Sequence, residues 1–334
     1  MSVTVDDAMY SWGGFAYPSS NPSGQHIFDE GFRLARGPDG TWQWTALPPL
    51  PFAVADAGMC AIGSTVYLHG GADFSAQEVF CYDSLCNGSA HGLGRMLHSL
   101  DTAKLGQGAS WQTLPSCPGT PRAWHQANCV GGKVYVMGGS SNQMKNASSS
   151  TFKINQPTIA NVVDNWAFDT SSGTWSRLRD LPSSGSVFGG AGGGSVFQEQ
   201  KIVLINAFQY DRVRASIQSG KEGDREEEQI RAPYGVVTHA PTAAAPVFGW
   251  PSGLVQGSGS AGGLYYNDVF VYDVASNAFG YGDGLPINNA SPDQIQLNGT
   301  SLLLVGGETG GGFIGGQFFG WHPDLVMLAT MREA

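Results

Sequence analysis

Seven residues of this chain are candidates for binding or converting a small polar molecule. Arg122 offers a planar cation that fits a carboxylate, whereas Glu308, His322 and Tyr210 offer groups that exchange protons or bond hydroxyls. Three further side chains are candidates for ligand binding: His125, Arg212 and Tyr234. An acid–base pair and a carboxylate-binding arginine are the groups that a metal-free isomerase or lyase requires.

Motifs for other kinds of chemistry are missing from the sequence. No His-x-His, His-Glu-x-x-His or Cys-x-x-Cys spacing predicts a metal site, and no Gly-x-Ser-x-Gly elbow predicts a serine nucleophile. The glycine run Gly189–Gly194 is not followed by the Lys-Ser/Thr of a phosphate-binding loop. We therefore expect neither a metal nor another cofactor.

A repeated pair of strands must position these side chains. Residues 123–139 read as two strands joined by a turn at Gly131-Gly132, and they end in the double glycine Gly138-Gly139. The same ending occurs 68 residues earlier, at Gly70-Gly71. The equivalent positions in chain order are Gly13, Gly70, Gly138, Asn206 and Gly306.

Each of these strand pairs precedes a third strand with an aromatic residue and Asp, and then an aromatic fourth strand. The third strands include VFCYD (79–83), NWAFD (165–169) and NDVFVYD (267–273). The fourth strands carry Trp44, Trp111, Trp175 and Phe279, each followed by Leu-Pro. A four-stranded unit repeated along a chain is typical of a propeller. In this order the motifs resemble the kelch repeat, and the resemblance covers nearly the whole chain.

The kelch resemblance implies an all-β fold, a single β-propeller domain of four-stranded blades over residues 1–334. Five blades are recognisable, and a sixth is the alternative if the longest insertion hides an irregular blade. The predicted blades cover residues 1–50, 51–119, 120–184, 185–287 and 288–334, with the insertion at 208–262. The last blade lacks a fourth strand of its own, so we expect the N-terminal residues to complete its sheet.

The candidate residues are expected on one face of this propeller. Loops between the second and third strands leave an antiparallel sheet on the same face as the connections between blades. Arg122 lies in such a connection, and Glu308 follows the last double glycine. Each is the one charged residue at its repeat position, so the architecture does not require it; a buried ion pair is the alternative. For His125, at the start of a strand, the alternative is a packing role.

Composition limits the partners and the compartment. The net charge of −10 disfavours nucleic acid and anionic membranes as partners. No apolar run approaches a membrane span, and the first residues lack the regions of a signal peptide, which predicts a cytoplasmic protein. The five cysteines are then expected as reduced thiols, with a Cys81–Cys86 disulfide as the alternative. The oligomeric state stays open.

Two functions fit these observations. The main interpretation is a ligand- or protein-binding module acting through the long-loop face, since kelch propellers most often serve as interaction scaffolds. The alternative is a metal-free isomerase, epimerase or lyase acting on a sugar or small carboxylate in the central funnel. Kelch-type sialic-acid epimerases show that the fold hosts such chemistry. A narrow polar funnel favours the enzyme, and a broad exposed aromatic patch favours a protein partner.

Overall fold

Antiparallel β-strands dominate the computed structural model of the chain, as the alternating sequence pattern predicts. The structure describes residues 1–16, 26–75, 79–81, 93–142, 159–181, 195–197, 200–205, 208–209, 235–239, 264–265, 269–281, 293–298, 301–305, 308–314, 317–321 and 326–332.

The described residues of the first two repeats form twelve strands. The first repeat has β1 (Ser2–Val5), β2 (Ala8–Trp12), β3 (Phe15–Ala16), β4 (His26–Ile27), β5 (Gly31–Arg36) and β6 (Trp42–Leu47). The second repeat has β7 (Gly58–Ile62), β8 (Thr65–His69), β9 (Asp73–Ser75), β10 (Val79–Cys81), β11 (Leu97–Asp101) and β12 (Gln112–Leu114). Two 3-10 helices, Leu93–Arg95 and Thr102–Gln107, flank β11.

The remaining repeats contain eighteen described strands. The third has β13 (Gln126–Val130), β14 (Lys133–Met137), β15 (Ser140–Asn142), β16 (Ile159–Asn161), β17 (Trp166–Asp169) and β18 (Thr174–Arg177). The fourth has β19 (Ser195–Phe197), β20 (Lys201–Ile205), β21 (Phe208–Gln209), β22 (Gly235–His239), β23 (Leu264–Tyr265), β24 (Val269–Asp273) and β25 (Ala278–Tyr281). The fifth has β26 (Asp293–Asn298), β27 (Ser301–Val305), β28 (Glu308–Ile314), β29 (Gln317–Trp321) and β30 (Val326–Arg332).

These strands form four-stranded antiparallel sheets that follow one another along the chain. The orders are β1-β2-β5-β6, β7-β8-β11-β12, β13-β14-β17-β18, β19-β20-β24-β25 and β26-β27-β30-β22. The first strands of successive sheets contact each other, β1 with β7, β7 with β13, β13 with β19 and β19 with β26. This arrangement confirms the all-β, kelch-like propeller fold predicted from the motifs. The prediction of a third strand at VFCYD is wrong, because residues 79–81 form β10, which pairs with β9, and the third strand of the second sheet is β11.

The fifth sheet takes its outer strand from the fourth repeat. Strand β22 lies in the long insertion and pairs with β30, from Gly235 opposite Arg332 to His239 opposite Leu328. The expectation that N-terminal residues complete this sheet is therefore wrong, because those residues form β1 of the first sheet. The register of β22 reflects pairing between segments far apart in sequence, which local patterns do not encode.

Hydrogen bonds from two double glycines join their sheets to the segments that lead into the next sheet. The N–H of Gly14 donates to the carbonyl of Val54 at 2.8 Å, and the N–H of Gly71 donates to that of Arg122 at 3.1 Å. At Gly70 the backbone φ is +64°, and an added Cβ would lie 2.6 Å from the Arg122 carbonyl oxygen. A side chain is excluded there by both conformation and space. Gly13, Gly70 and Gly138 thus occupy equivalent places, whereas Asn206 and Gly306 lie outside the described residues.

Aromatic side chains fill the space between neighbouring sheets. The Trp111 ring meets Trp12 edge-on with centroids 5.0 Å apart, and Trp12 itself is fully buried. Trp175 packs among side chains of the second and third sheets, and its indole N–H donates to the Pro115 carbonyl at 2.7 Å. Trp111 and Trp175 are partly buried, but the equivalent Trp44 is 58% exposed.

A disulfide joins the first strands of the second and third sheets. Cys60 of β7 and Cys129 of β13 are bonded, with their Cα atoms 5.6 Å apart and a sequence separation of 69. The expectation of reduced thiols is therefore wrong for this pair. The spacing exceeds the repeat length by one residue, which turns the two side chains toward each other across neighbouring strands. Cys117 is free and buried.

Removing this disulfide should destabilise the propeller. Because the bond closes a long loop, the Cys60→Ala/Cys129→Ala double variant should lose roughly 2–5 kcal/mol of unfolding free energy, measured by urea denaturation. Reductant should lower the melting temperature of the wild type and leave that of the double variant unchanged. Equal sensitivity of both proteins to reductant would show that the bond does not form.

Candidate functional site

A small hairpin stands between the second and third strands of every sheet. The pairs are β3-β4, β9-β10, β15-β16, β21-β23 and β28-β29. Hairpins of neighbouring sheets contact each other where β4 meets β9 and where β23 meets β28. Since the connections between sheets leave on the same side, hairpins and connections share one face, which we call the hairpin face. The segment joining the last strand of one sheet to the first strand of the next is its crossover loop.

Glu308 begins a strand of the last hairpin. Its backbone lies opposite Trp321, so the register brings Glu308 next to the position that precedes His322. The adjoining hairpin contributes β21, which ends one residue before Tyr210, and β23, which contacts β28. The backbone therefore brings the chain segments of three sequence-predicted residues toward one part of the hairpin face. His322, Tyr210, Arg212 and Tyr234 themselves lie outside the described residues.

Arg122 lies in the crossover loop before β13 and has no exposed surface. Its Nε–H donates to the Thr120 carbonyl at 3.1 Å. One terminal nitrogen donates to the carbonyls of Gly138 and Asp164, at 3.2 and 2.7 Å. The other donates to the Asp164 carboxylate at 2.9 Å. Four of the five N–H donors are thus bonded to the protein.

Asp164 is the acidic partner in this network. Its Oδ2 also accepts bonds from the Thr120 N–H at 3.0 Å and from the Trp166 indole at 2.6 Å. Burial alone would raise the pKa of Asp164, but the Arg122 guanidinium and these bonds lower it, so the carboxylate is ionised at neutral pH. The pair ties the crossover loop to the start of β17. This geometry supports the buried ion pair and weighs against ligand contact by Arg122, which stays a prediction.

His125 forms a buried pair with His69, the last residue of β8. Nδ1 of His69 lies 2.9 Å from Nε2 of His125, and both rings have no exposed surface. Burial is the main cause that lowers the pKa of each imidazole well below its usual value. For His69 the His125 ring and then the Arg122 cation add to this lowering, and for His125 the Arg122 cation adds to it. Two buried neutral rings between sheets fit the packing role that was the alternative for His125. Ligand contact by His125 stays a prediction.

The crossover loops contain two residues that the sequence argument missed. Asp56 and Trp124 occupy the same repeat position and have left-handed backbones, with φ of +56° and +53°. The Trp124 N–H donates to the Asp56 carbonyl at 2.9 Å. Both residues are partly exposed, but Oδ2 of Asp56 is buried, as are the residues on either side of each. Their spacing of 68 residues was the available signal, but only the backbone conformation distinguishes them from loop residues.

Neither a metal-binding cluster nor a membrane-spanning helix is found in the described residues. Within those ranges, no group of three or more His, Cys, Asp and Glu side chains is arranged to hold a metal ion. No helix in the described part of the chain is long and apolar enough to cross a membrane.

Comparison with known proteins gives distant relatives that share one name. The chain is 25% identical over 217 residues to the N-acetylneuraminate epimerase of Yersinia enterocolitica serotype O:8 / biotype 1B (strain NCTC 13174 / 8081), covering 64% of this chain and 47% of the relative. It is 25% identical over 244 residues to that of Yersinia pestis (strain Pestoides F), covering 69% and 54%. The chain spans about half the length of the curated relatives it matches. No family model matches it.

A solved structure supports the fold. The structure of YjhT superposes with a TM-score of 0.58 and 16% sequence identity, covering 99% of this chain and 82% of that chain. At this identity the likeness concerns the fold, and it agrees with a kelch-like propeller.

Truncating Arg122 should destabilise the fold because it leaves Asp164 and three carbonyls without their donor. We expect Arg122→Ala to lose roughly 3–5 kcal/mol of unfolding free energy in urea titrations. Arg177→Ala is the matched control, since the Arg177–Asp180 ion pair has exposed side chains at 59% and 43%. The control should change stability by less than about 1 kcal/mol. A stable Arg122→Ala protein would return this arginine to the list of ligand-binding residues.

The unfolding free energy should already fall below pH 6.5, which is above the range in which ordinary carboxylates titrate. The pKa values of His69 and His125 lie well below 6.5, and burial lowers that of His98 to about 4. Below pH 6.5 these histidines bind protons in the unfolded chain, whereas the native imidazoles stay neutral. The unfolding free energy therefore falls as the pH is lowered. Asp56 acts oppositely, because burial raises its pKa to about 7 and the native state holds its proton.

The net difference is about two protons between pH 6 and pH 5. Unfolding free energy should therefore fall by roughly 2–3 kcal/mol over that unit. Urea titrations at pH 7, 6 and 5 measure it, and His98→Gln should make the decline shallower by about one proton. A flat profile in the wild type would contradict the burial of these imidazoles.

Proposed function

We propose that this protein binds a small polar sugar acid on its hairpin face. The observation that carries this proposal is the contact between hairpins of neighbouring sheets, which lines the face with loops held on a rigid scaffold. The curated relatives are named for N-acetylneuraminate, a sugar acid with a carboxylate, an acetamido group and several hydroxyls. We take molecules of that class as the ligand.

The residues proposed to contact the ligand belong to the fourth and fifth repeats. Glu308 and His322 are proposed to exchange protons with hydroxyls, assisted by Tyr210. Arg212 is proposed as the cation for the carboxylate, because Arg122 already bonds Asp164 and three carbonyls. Contact by Tyr234 stays a prediction from the sequence, because the next residue, Gly235, pairs with Arg332 at the end of the fifth sheet away from its hairpin. His125 is proposed to act indirectly, by packing the crossover loop through His69.

An epimerase activity is the second candidate function. The name shared by the relatives favours it, as does the register that brings Glu308 toward the segment carrying His322. Inversion of a sugar stereocentre needs one group that removes a proton and another that returns one, which this pair can supply without a metal.

A protein partner is less well supported. Among the five large exposed apolar side chains of the described residues, one, Phe15, belongs to a hairpin, whereas three, Phe32, Trp42 and Trp44, belong to β5 and β6 of the first sheet. A patch there does not place a partner on the hairpin face.

The working compartment follows from the Cys60–Cys129 disulfide. Such bonds persist in oxidising compartments and are rare in the cytosol. We propose an oxidising compartment in place of the cytoplasmic location predicted from the sequence.

Binding and turnover of N-acetylneuraminate test the two functions separately. Calorimetric titration of the wild type with N-acetylneuraminate should show saturable binding, and Arg212→Ala should weaken it by about tenfold or more, since a charged hydrogen bond is lost. Proton NMR of the sugar with catalytic protein should show one epimer converting to another if the enzyme candidate is correct.

Glu308→Gln separates the two outcomes. This variant should abolish conversion of the sugar and reduce its binding affinity much less. The glutamine amide has nearly the same size as the glutamate carboxylate but cannot exchange a proton with the substrate. The exposed Arg177→Ala protein is the control for both assays. Absence of binding by the wild type would overturn the proposal, and binding without conversion would leave the binding function alone.

A further inference from the structure

We infer that the first sheet packs against the first sheet of a second copy of this chain. The surface involved is one side of that sheet, which we call the open face; it carries Met9, Phe32, Leu34, Arg36, Trp42 and Trp44. The open face is the broad side of a sheet, whereas the hairpin face lies at the ends of the strands. The inference is therefore independent of the proposed function.

Strand register puts these side chains on one side of the first sheet. Leu34 of β5 pairs with Met9 of β2 and with Trp44 of β6. Phe32 and Arg36 lie two places before and two places after Leu34. Because successive residues of a strand alternate between the two sides of a sheet, all of them project to the same side. The open face thus extends across three strands.

The opposite side of the first sheet is covered, and the open face is not. On the covered side Trp12 is fully buried, and the Trp111 ring of the second sheet packs edge-on against it. On the open face, 46% of Phe32, 60% of Trp42 and 58% of Trp44 are exposed. The sheet is therefore packed on one side only.

The same side is buried in each of the next three sheets. Leu34 pairs with the residue four places before a double glycine, and it is only partly buried. The residues at the equivalent place in the second, third and fourth sheets are Leu100, Phe168 and Tyr272. These three are at most 2% exposed. The open face therefore has the position and the apolar character of a contact between sheets.

The tryptophans of the fourth strands show how such a contact is made. Trp111 packs on Trp12 of the sheet before it, and the Trp175 indole donates to the Pro115 carbonyl, which follows the sheet before it, at 2.7 Å. Trp44 has the equivalent place, but its ring meets Phe32 of its own sheet, with centroids 6.4 Å apart. An apolar sheet surface would bury Trp44 in the manner of the other two.

The described sheets leave the ring open beside this face. First strands of successive sheets contact each other from β1 to β26, but no comparable contact joins β26 back to β1 within the described part of the chain. None of the described sheets is thus packed on the open face. A partner from outside the chain has room to occupy it.

The area of the open face suits a dimer of the chain. With exposed fractions of 46%, 60% and 58%, its three aromatic side chains present roughly 350 Å² of surface to water. A standard interface buries about 800 Å² on each partner, so the aromatic residues alone supply nearly half of it. Exposed apolar patches of this size on a protein mark interaction surfaces.

The charges favour a second copy as the partner. Two copies that each carry a net charge of −10 repel one another, so they associate best where neither presents acidic side chains. Arg36 is the one charged residue of the open face, and its guanidinium lies over the Trp42 ring at 5.9 Å. Aromatic residues and arginine are the types enriched in the centre of interfaces. A two-fold axis pairs like face with like face and closes the assembly at two copies.

Trp44→Lys tests this pairing, because it puts a charge within the open face and leaves the covered side unchanged. In sedimentation velocity between about 1 and 100 µM, the wild type should convert from monomer to dimer. Trp44→Lys should self-associate at least about tenfold more weakly, since it removes an aromatic anchor of the interface. Its monomer should unfold at the same urea concentration as wild type, because Trp44 is exposed within one chain.

Thr45→Lys is the matched control. Thr45 is the next residue of β6, is also exposed, and projects to the other side of the sheet. It adds the same charge and should dimerise as the wild type does. If Trp44→Lys does not fold, Trp42→Lys repeats the test at the more exposed end of the open face.

A mixing experiment identifies the surface that the open face contacts. Fluorescently labelled Trp44→Lys should bind excess wild type at least about tenfold more weakly than labelled wild type does, because both copies contribute the open face. Equal binding would show that the open face contacts a different surface, and it would overturn the pairing of like faces. A wild type that stays monomeric at about 100 µM would overturn the inference, as would equal dimerisation of wild type and Trp44→Lys.

Discussion

The first three sheets depend on hydrogen bonds from the second glycine of the first two double glycines to the next crossover loop. The N–H of Gly14 and that of Gly71 meet the carbonyls of Val54 and Arg122 one sheet further on. A Cβ at Gly70 would strike the same carbonyl. The bond forms only where the backbones approach without side chains, so the glycines set the distance between sheets. Every residue in a crossover loop is then held at a defined place on the hairpin face.

The Arg122 network shows how one repeat departs from the others under this constraint. Val54, at the equivalent position, fills its place with an apolar side chain that is fully buried. Arg122 puts a charge in the corresponding interior, where removal from water lowers its pKa and an ionised partner is required. Asp164 and the surrounding carbonyls supply the compensation. Burial keeps His125 and His69 neutral, and the same cation contributes to this effect.

Local features of the fold could be predicted from the sequence, and long-range pairings could not. The places of Gly13, Gly70 and Gly138 followed from turn chemistry, which depends on a few adjacent residues. The partner of Arg122 could not be predicted in this way, because Asp164 lies 42 residues away in sequence. A single arginine in a sequence is equally consistent with an ion pair and with a ligand contact. The Cys60–Cys129 bond was missed since an odd number of cysteines without a close pair suggested free thiols. Repeat register placed Glu308 on the long-loop face but gave no position for His322, and the β28–β29 pairing brings the two chain segments together at the level of the backbone.

The strand exchanged between the fourth and fifth repeats changes how stability is distributed. In a simple repeat protein each unit contacts only its neighbours, and stability is close to a sum of local contributions. Here β22 leaves the fourth repeat and completes the sheet of the fifth beside β30. Because β22 is synthesised before its partner β30, it cannot pair until the fifth repeat is complete, and we expect the last two repeats to fold as one cooperative unit. A protease cut within the insertion would release the edge of a sheet almost 90 residues downstream in the chain, and the damage would spread to a repeat that the cut never touched.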